Sequence, residues 1–95
     1  MYRRPPSDST IVVKVKYLAA TRDQVGTGED QVTLPAGASL RDLACYLKER
    51  RGLSLPQSDV IATLNGRGWE QAPQGLDTPL QPGDIVHLFP PIAGG

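Results

Sequence analysis

Gly83-Asp84-Ile85-Val86-His87-Leu88-Phe89-Pro90-Pro91-Ile92-Ala93-Gly94-Gly95, residues 83–95, decides how this chain is read. Gln81-Pro82-Gly83-Asp84 has the composition of a turn, and Ile85 to Phe89 is a strand-like run that follows it directly. Pro90 and Pro91 fix φ and remove backbone donors, so the chain cannot continue a central ladder beyond Phe89. The segment 90–95 is therefore expected to leave the domain extended, near polyproline II. It could reach roughly 20 Å at about 3.3–3.6 Å per residue. Gly94 and Gly95 have no Cβ and can pass through a narrow channel to present an unhindered carboxylate. Ile92 and Ala93 have no separate physical account beyond fitting such a channel.

Working back from that end, the elements of one small domain can be marked. Thr10 to Tyr17 alternates, with Ile11, Val13, Val15 and Tyr17 on one face and Lys14 and Lys16 on the other, the period of a half-buried strand. Arg22 to Glu29 holds Gly26 and Gly28 among polar residues and reads as a loop. Asp30 to Leu34 is a short strand that could pair back on the first. Ser39 is a good N-cap with Asp42 three residues on. Leu40, Leu43, Ala44 and Leu47 then form one apolar helical stripe, and Gly52 is a natural left-handed end. The helix runs from about Leu40 to Arg51. Val60 to Leu64 is an apolar strand meeting Asn65-Gly66, a strong hairpin signal, with Arg67 to Glu70 as the return strand. Ala72 to Gly83 is an irregular crossover. Residues 1–9 carry too little apolar surface to offset the entropy of ordering and read as a flexible lead-in. The division is thus 1–9 lead-in, 10–89 domain, 90–95 tail. A hairpin, one long helix and a terminal strand fit a two-layer α+β domain, its sheet wrapped over one helix; pattern alone leaves strand order open.

Composition narrows the function classes. The chain has 95 residues, enough for a single modest core. Ten basic and ten acidic residues give zero formal net charge, so nucleic acid and anionic membrane are not expected partners. No apolar stretch approaches the ~20 residues of a membrane span. Met1-Tyr2-Arg3-Arg4 is followed by Pro5-Pro6-Ser7-Asp8 where an export signal would need an apolar run, so no targeting peptide is read. One cysteine, Cys45, and one histidine, His87, leave no disulfide framework and no Cys/His metal site. The cytoplasm is the default compartment. Cys45 is expected to pack against its helix surroundings, because a reactive thiolate needs an electropositive setting. Lys48, Arg50 and Arg51 read as solvated charges suited to a helix C-terminus.

Several of these residues carry a resemblance. Tyr17-Leu18-Ala19 followed by Arg22 and Gly26, Ala38-Ser39-Leu40, Asn65-Gly66, Thr78-Pro79-Leu80, Gly83-Asp84 and Phe89-Pro90-Pro91-Ile92-Ala93-Gly94-Gly95 resemble the MoaD/ThiS sulfur-carrier family, most of all its molybdopterin-synthase branch. The match covers Thr10 to Gly95, and the lead-in is its main departure. The resemblance implies a ubiquitin-like β-grasp fold with the first and last strands side by side in the sheet centre. It implies that an E1-like (MoeB-like) adenylyltransferase uses ATP to adenylate the Gly95 carboxylate. A sulfur donor such as a cysteine desulfurase or rhodanese then converts the acyl adenylate to a thiocarboxylate. A larger, MoaE-like synthase subunit would supply the catalytic pocket, and no cofactor would be bound stably by this chain. The rival readings are a carrier for thiamine thiazole or cysteine synthesis, a ubiquitin-like modifier of lysines, and a β-grasp binding module with an incidental tail.

Recognition also needs a surface. If Val86 and Leu88 point inward, alternation turns Ile85, His87 and Phe89 outward. Phe89, at the tail root, is the leading candidate for an aromatic anchor against the partner, although an aromatic there could equally close the core. Leu18 is the second candidate by family correspondence and Trp69 a third, with a lid over its own core as Trp69's bland reading. His87 shares the outward face and Arg22 could meet an anionic group; for both, an ordinary surface role is the alternative.

Overall fold

The computed structural model describes residues 10–55 and 59–91. The lead-in 1–9 and the tail residues Ile92, Ala93, Gly94 and Gly95 lie outside them, as do residues 56–58. Strand β1 spans Thr10–Tyr17, β2 Glu29–Pro35, β3 Ile61–Leu64, β4 Arg67–Gly68 and β5 Ile85–Phe89. They form one sheet in the order β2-β1-β5-β3-β4. β1 pairs antiparallel with β2 (Val13 opposite Val32) and parallel with β5 (Tyr17 opposite Leu88). β3 pairs antiparallel with β5, Ile61 lying opposite Phe89 and Thr63 opposite His87. The first and last strands thus occupy the middle of the sheet.

The long helix α2 spans Leu40–Arg51, the expected bounds. The Asp42 carboxylate accepts the Ser39 amide at 2.8 Å, satisfying a donor that the helix leaves unpaired. Gly52 closes the helix at φ +71°, a left-handed conformation that costs glycine little. Leu40, Leu43 and Leu47 are fully buried on the helix and meet Val13, Val15, Val32, Val86 and Leu88 from the inner sheet face.

Three sequence expectations are corrected. Residues 22–29 are not simply a loop: a short helix α1, Ala19–Val25, precedes a tight turn. It ends at Gly26, φ +93°, whose amide donates to the Arg22 carbonyl at 2.8 Å. Only Thr21 of α1 is buried, so no apolar stripe of helical period advertises it. β4 stops at Gly68, because Trp69 turns inward in a 3-10 turn, Trp69–Gln71. Arg51 is not a solvated charge, since it grips Asp30 in a bidentate pair described below. Asn65, φ +53°, and Gly66, φ +92°, have the paired left-handed angles of a tight hairpin turn.

Candidate functional site

The tail root is built where β5 ends. Because β1 and β5 run parallel and in register, the residue after Tyr17 comes beside Phe89. The Leu18 amide donates to the Leu88 carbonyl at 2.9 Å. On the other side, β3 sets Ile61 directly opposite Phe89. Leu18 is 42% exposed and Ile61 36% exposed, while Phe89 is half-buried between them. Three apolar side chains therefore form one row across the outer end of the sheet, at the point from which Pro90 and Pro91 lead away.

Ile61 was not singled out from sequence. The signal was available: in Val60 to Leu64 the alternate residues Ala62 and Leu64 pack on the core, which leaves Ile61 and Thr63 for the outer face. One row further from the tail, His87 stands half-exposed between Lys16 of β1 and Thr63 of β3. Val86 and Leu88 are fully buried, so β5 alternates as expected.

Two other candidates fall elsewhere. Trp69 is only 5% exposed and belongs to the core; it closes its own hydrophobic patch and presents no face for docking. Its Nε1 donor is buried without a hydrogen-bond partner among the described residues. Arg22 is exposed in the last turn of α1, where a cation suits the carbonyl end of a helix. Its guanidinium arm lies over Gly28, so that a Cβ at that glycine would come 3.5 Å from Nε. Cys45 does not pack inward: it is exposed on α2, beside a shallow hollow lined by Arg41, Lys48 and Leu55.

Behind the apolar row, the same end of the sheet is tied to α2. The Tyr17 hydroxyl donates to Asp30 Oδ2 at 2.7 Å. Arg51 donates through Nε to Oδ2 at 2.8 Å and through Nη2 to Oδ1 at 2.6 Å. The hydrogen bonds from Arg51 hold the Asp30 carboxyl below the usual carboxylate range, against the opposing effect of its partial burial. Burial, then the bond to Asp30, pushes the Tyr17 hydroxyl above its ordinary range. The Asp30 pair raises Arg51 in turn. These three residues join β1, β2 and the C-terminus of α2 without touching the outer face. Among the described residues, no group of three or more His, Cys, Asp or Glu side chains could hold a metal. No helix there is long and apolar enough to cross a membrane.

This architecture is matched by the ThiS family, whose pattern fits residues 15–95. The chain belongs to that family. Within the ThiS family it is 33% identical, over 86 residues, to the molybdopterin synthase sulfur carrier subunit of Escherichia coli K12, a match that covers 88% of this chain and all of the relative. Among solved structures, a Pyrococcus furiosus protein provisionally described as molybdopterin converting factor subunit 1 is 34% identical. It superposes with a TM-score of 0.71, covering 86% of this chain and 99% of that one. A chain of the Helicobacter pylori complex of molybdopterin-converting factor subunits 1 and 2 is 25% identical, with a TM-score of 0.62 over 90% of this chain and all of that one. The small archaeal modifier protein 1 of Methanosarcina acetivorans shares the β-grasp fold at 22% identity, with a TM-score of 0.72 over 90% of this chain and 98% of that one.

Proposed function

We propose that this ThiS-family chain is the sulfur carrier of a molybdopterin synthase, and that its Gly95 carboxylate is the group that carries sulfur. The observation behind this reading is the tail root. A central strand, fixed on both sides, runs out through Phe89 into Pro90-Pro91 beside an exposed apolar row of Leu18 and Ile61. A rigid platform with an apolar collar suits an arm that must enter a second protein.

The chemistry follows from the terminal carboxylate. An α-carboxylate with pKa about 3.3–3.7 is anionic at neutral pH and a poor acyl electrophile. ATP and an E1-like adenylyltransferase convert it to an acyl adenylate with loss of pyrophosphate. The persulfide of a sulfur donor such as a cysteine desulfurase or rhodanese then displaces AMP to give an acyl disulfide, and a thiol cleaves its S–S bond, becoming oxidised to a disulfide as the thiocarboxylate is released. Docking on the larger catalytic subunit raises the effective concentration of that soft nucleophile at the pterin precursor, which receives sulfur in two successive transfers. The larger subunit supplies the pocket, and this chain acts as a protein co-substrate that binds no cofactor stably. ATP-dependent activation places the work in the cytoplasm.

Mass spectrometry after incubation with ATP, the adenylyltransferase and a sulfur donor tests the reading. The expected product is heavier by about 16 Da, the exchange of one oxygen for sulfur at the activated acyl group. Diglycine remnants on target lysines, with no thiocarboxylate, would overturn it in favour of a protein modifier.

A further inference from the structure

The outer face of the sheet is ordered in rows by its pairing. Nearest the tail lie Leu18, Phe89 and Ile61. The next row is Glu29, Lys16, His87 and Thr63, and behind it stand Gln31, Lys14 and Ile85. Lys16 is thus one row from the apolar collar, in the central strand β1, and half-exposed. Its cross-strand neighbour Glu29 has the right sign but forms no ion pair with it, and neither Lys14 nor Lys16 is paired with any acidic group among the described residues. Asp84, whose backbone carbonyl accepts the Lys14 amide at 2.9 Å, engages both carboxylate oxygens elsewhere. Oδ2 accepts the Gln81 amide at 2.8 Å and Oδ1 accepts from Asn65 Nδ2 at 3.0 Å.

A protein that covers Leu18, Phe89 and Ile61 must also cover Lys16, because adjacent strands are only about 4.8 Å apart and the rows about twice the residue rise. Covering an ammonium without an acceptor is costly. We infer that Lys16 is a specificity-determining contact: the large synthase subunit places a carboxylate against it, one row from the apolar pocket that receives the collar. The inference rests on the sulfur-carrier reading above and adds the chemistry of the partner's surface. Lys14 extends the same positive strip and steers the approach, whereas Phe89 and Leu18 supply the apolar contact. The partner's face is therefore an apolar patch bordered by acidic groups on the side away from the tail channel.

The test measures association of the full chain with the large subunit from the same organism, as rate and affinity against salt. Wild type is expected to associate more slowly as salt rises. Lys16→Glu should weaken binding about tenfold or more at low salt by placing like charges together. Lys16→Met should flatten the salt dependence while retaining the apolar stem, and Lys16→Arg should restore binding. Changing acidic residues of the large subunit to lysine one at a time should yield a variant that rescues Lys16→Glu. Thermal melting of each variant separates these effects from misfolding, which an outward side chain should not cause. If Lys16→Glu melts like wild type and binds with unchanged affinity and salt dependence, the inference is overturned while the carrier reading stands. If the wild-type chain does not bind the large subunit at all, both fall. Binding of phosphatidylserine vesicles or polynucleotide that depends on Lys16, without an effect on the subunit, would also overturn it.

Discussion

The Leu88 carbonyl accepts the Leu18 amide at 2.9 Å, so the residue that begins the turn into α1 is bonded to the strand that carries the tail. Buried Leu88 and half-exposed Phe89 follow each other on that strand yet serve opposite faces. Leu88→Ala is expected to cost about 2–5 kcal/mol, the usual penalty for emptying a filled core position. Phe89→Ala should cost clearly less stability but weaken docking on the large subunit at least about tenfold, as removal of an aromatic anchor does. Urea midpoints and binding isotherms on both variants check the pair. Equal loss of stability in the two would show that Phe89 is a core residue.

The cluster of Tyr17, Asp30 and Arg51 predicts a stability profile that falls at both ends of the pH scale. Asp30 has its pKa lowered in the folded state by the Arg51 hydrogen bonds. Its contribution is present above the unfolded carboxylate value of about 3.9 and is lost as pH falls further. Tyr17 has its pKa raised, chiefly by burial. Its contribution is complete below the unfolded value of about 10 and is lost as pH rises beyond it. Asp30→Asn should flatten the acid limb in a series of urea titrations; an unchanged limb would place the acid sensitivity elsewhere.

Ala19 holds φ +54° at the start of α1, a left-handed angle that costs a residue with a Cβ about 1–2 kcal/mol. Ala19→Gly removes that strain but adds freedom to the unfolded chain. The expected outcome is a gain of up to about 1 kcal/mol, read as a higher urea midpoint with an unchanged slope. A loss of stability would mean that the methyl group is held by packing.

Deletion of Gly95 should leave the melting temperature unchanged and abolish sulfur transfer, because the core formed by the described residues lies between Ile11 and Leu88. Calorimetry and a thiocarboxylate assay on the same preparation separate the two effects. A large drop in melting temperature would show that the tail packs on the domain.

The elements that bury an apolar stripe were legible in the sequence. The pattern at Leu40, Leu43, Ala44 and Leu47, with Ser39 and Gly52 at its ends, gives α2 its observed bounds. Alternation in Ile85 to Phe89 gives the facing of β5. What escaped was held by contacts distant in the chain. α1 buries only Thr21 and is held by its Gly26 cap and by its place against β5. The Arg51–Asp30 pair spans 21 residues, and no local period reveals it. Trp69 faces the core because the hairpin breaks into a 3-10 turn that begins at Trp69 itself. The collar was partly legible: Phe89 and Leu18 stood out, and alternation marks Ile61 as outward, but its place beside Phe89 required the β3–β5 register.

That central pairing of β1 with β5 also bears on when the arm can be used. β1 finds its parallel neighbour only in β5, so the middle of the sheet closes after every other strand of the sheet has been made. Such long-range closure is slow compared with a local hairpin. Until it happens, Leu18 is not bonded to Leu88 and no apolar row forms at Phe89. On the sulfur-carrier proposal, fold completion acts as a licence: a misfolded copy carries the same Gly95 but offers the proposed activating enzyme no platform to grip.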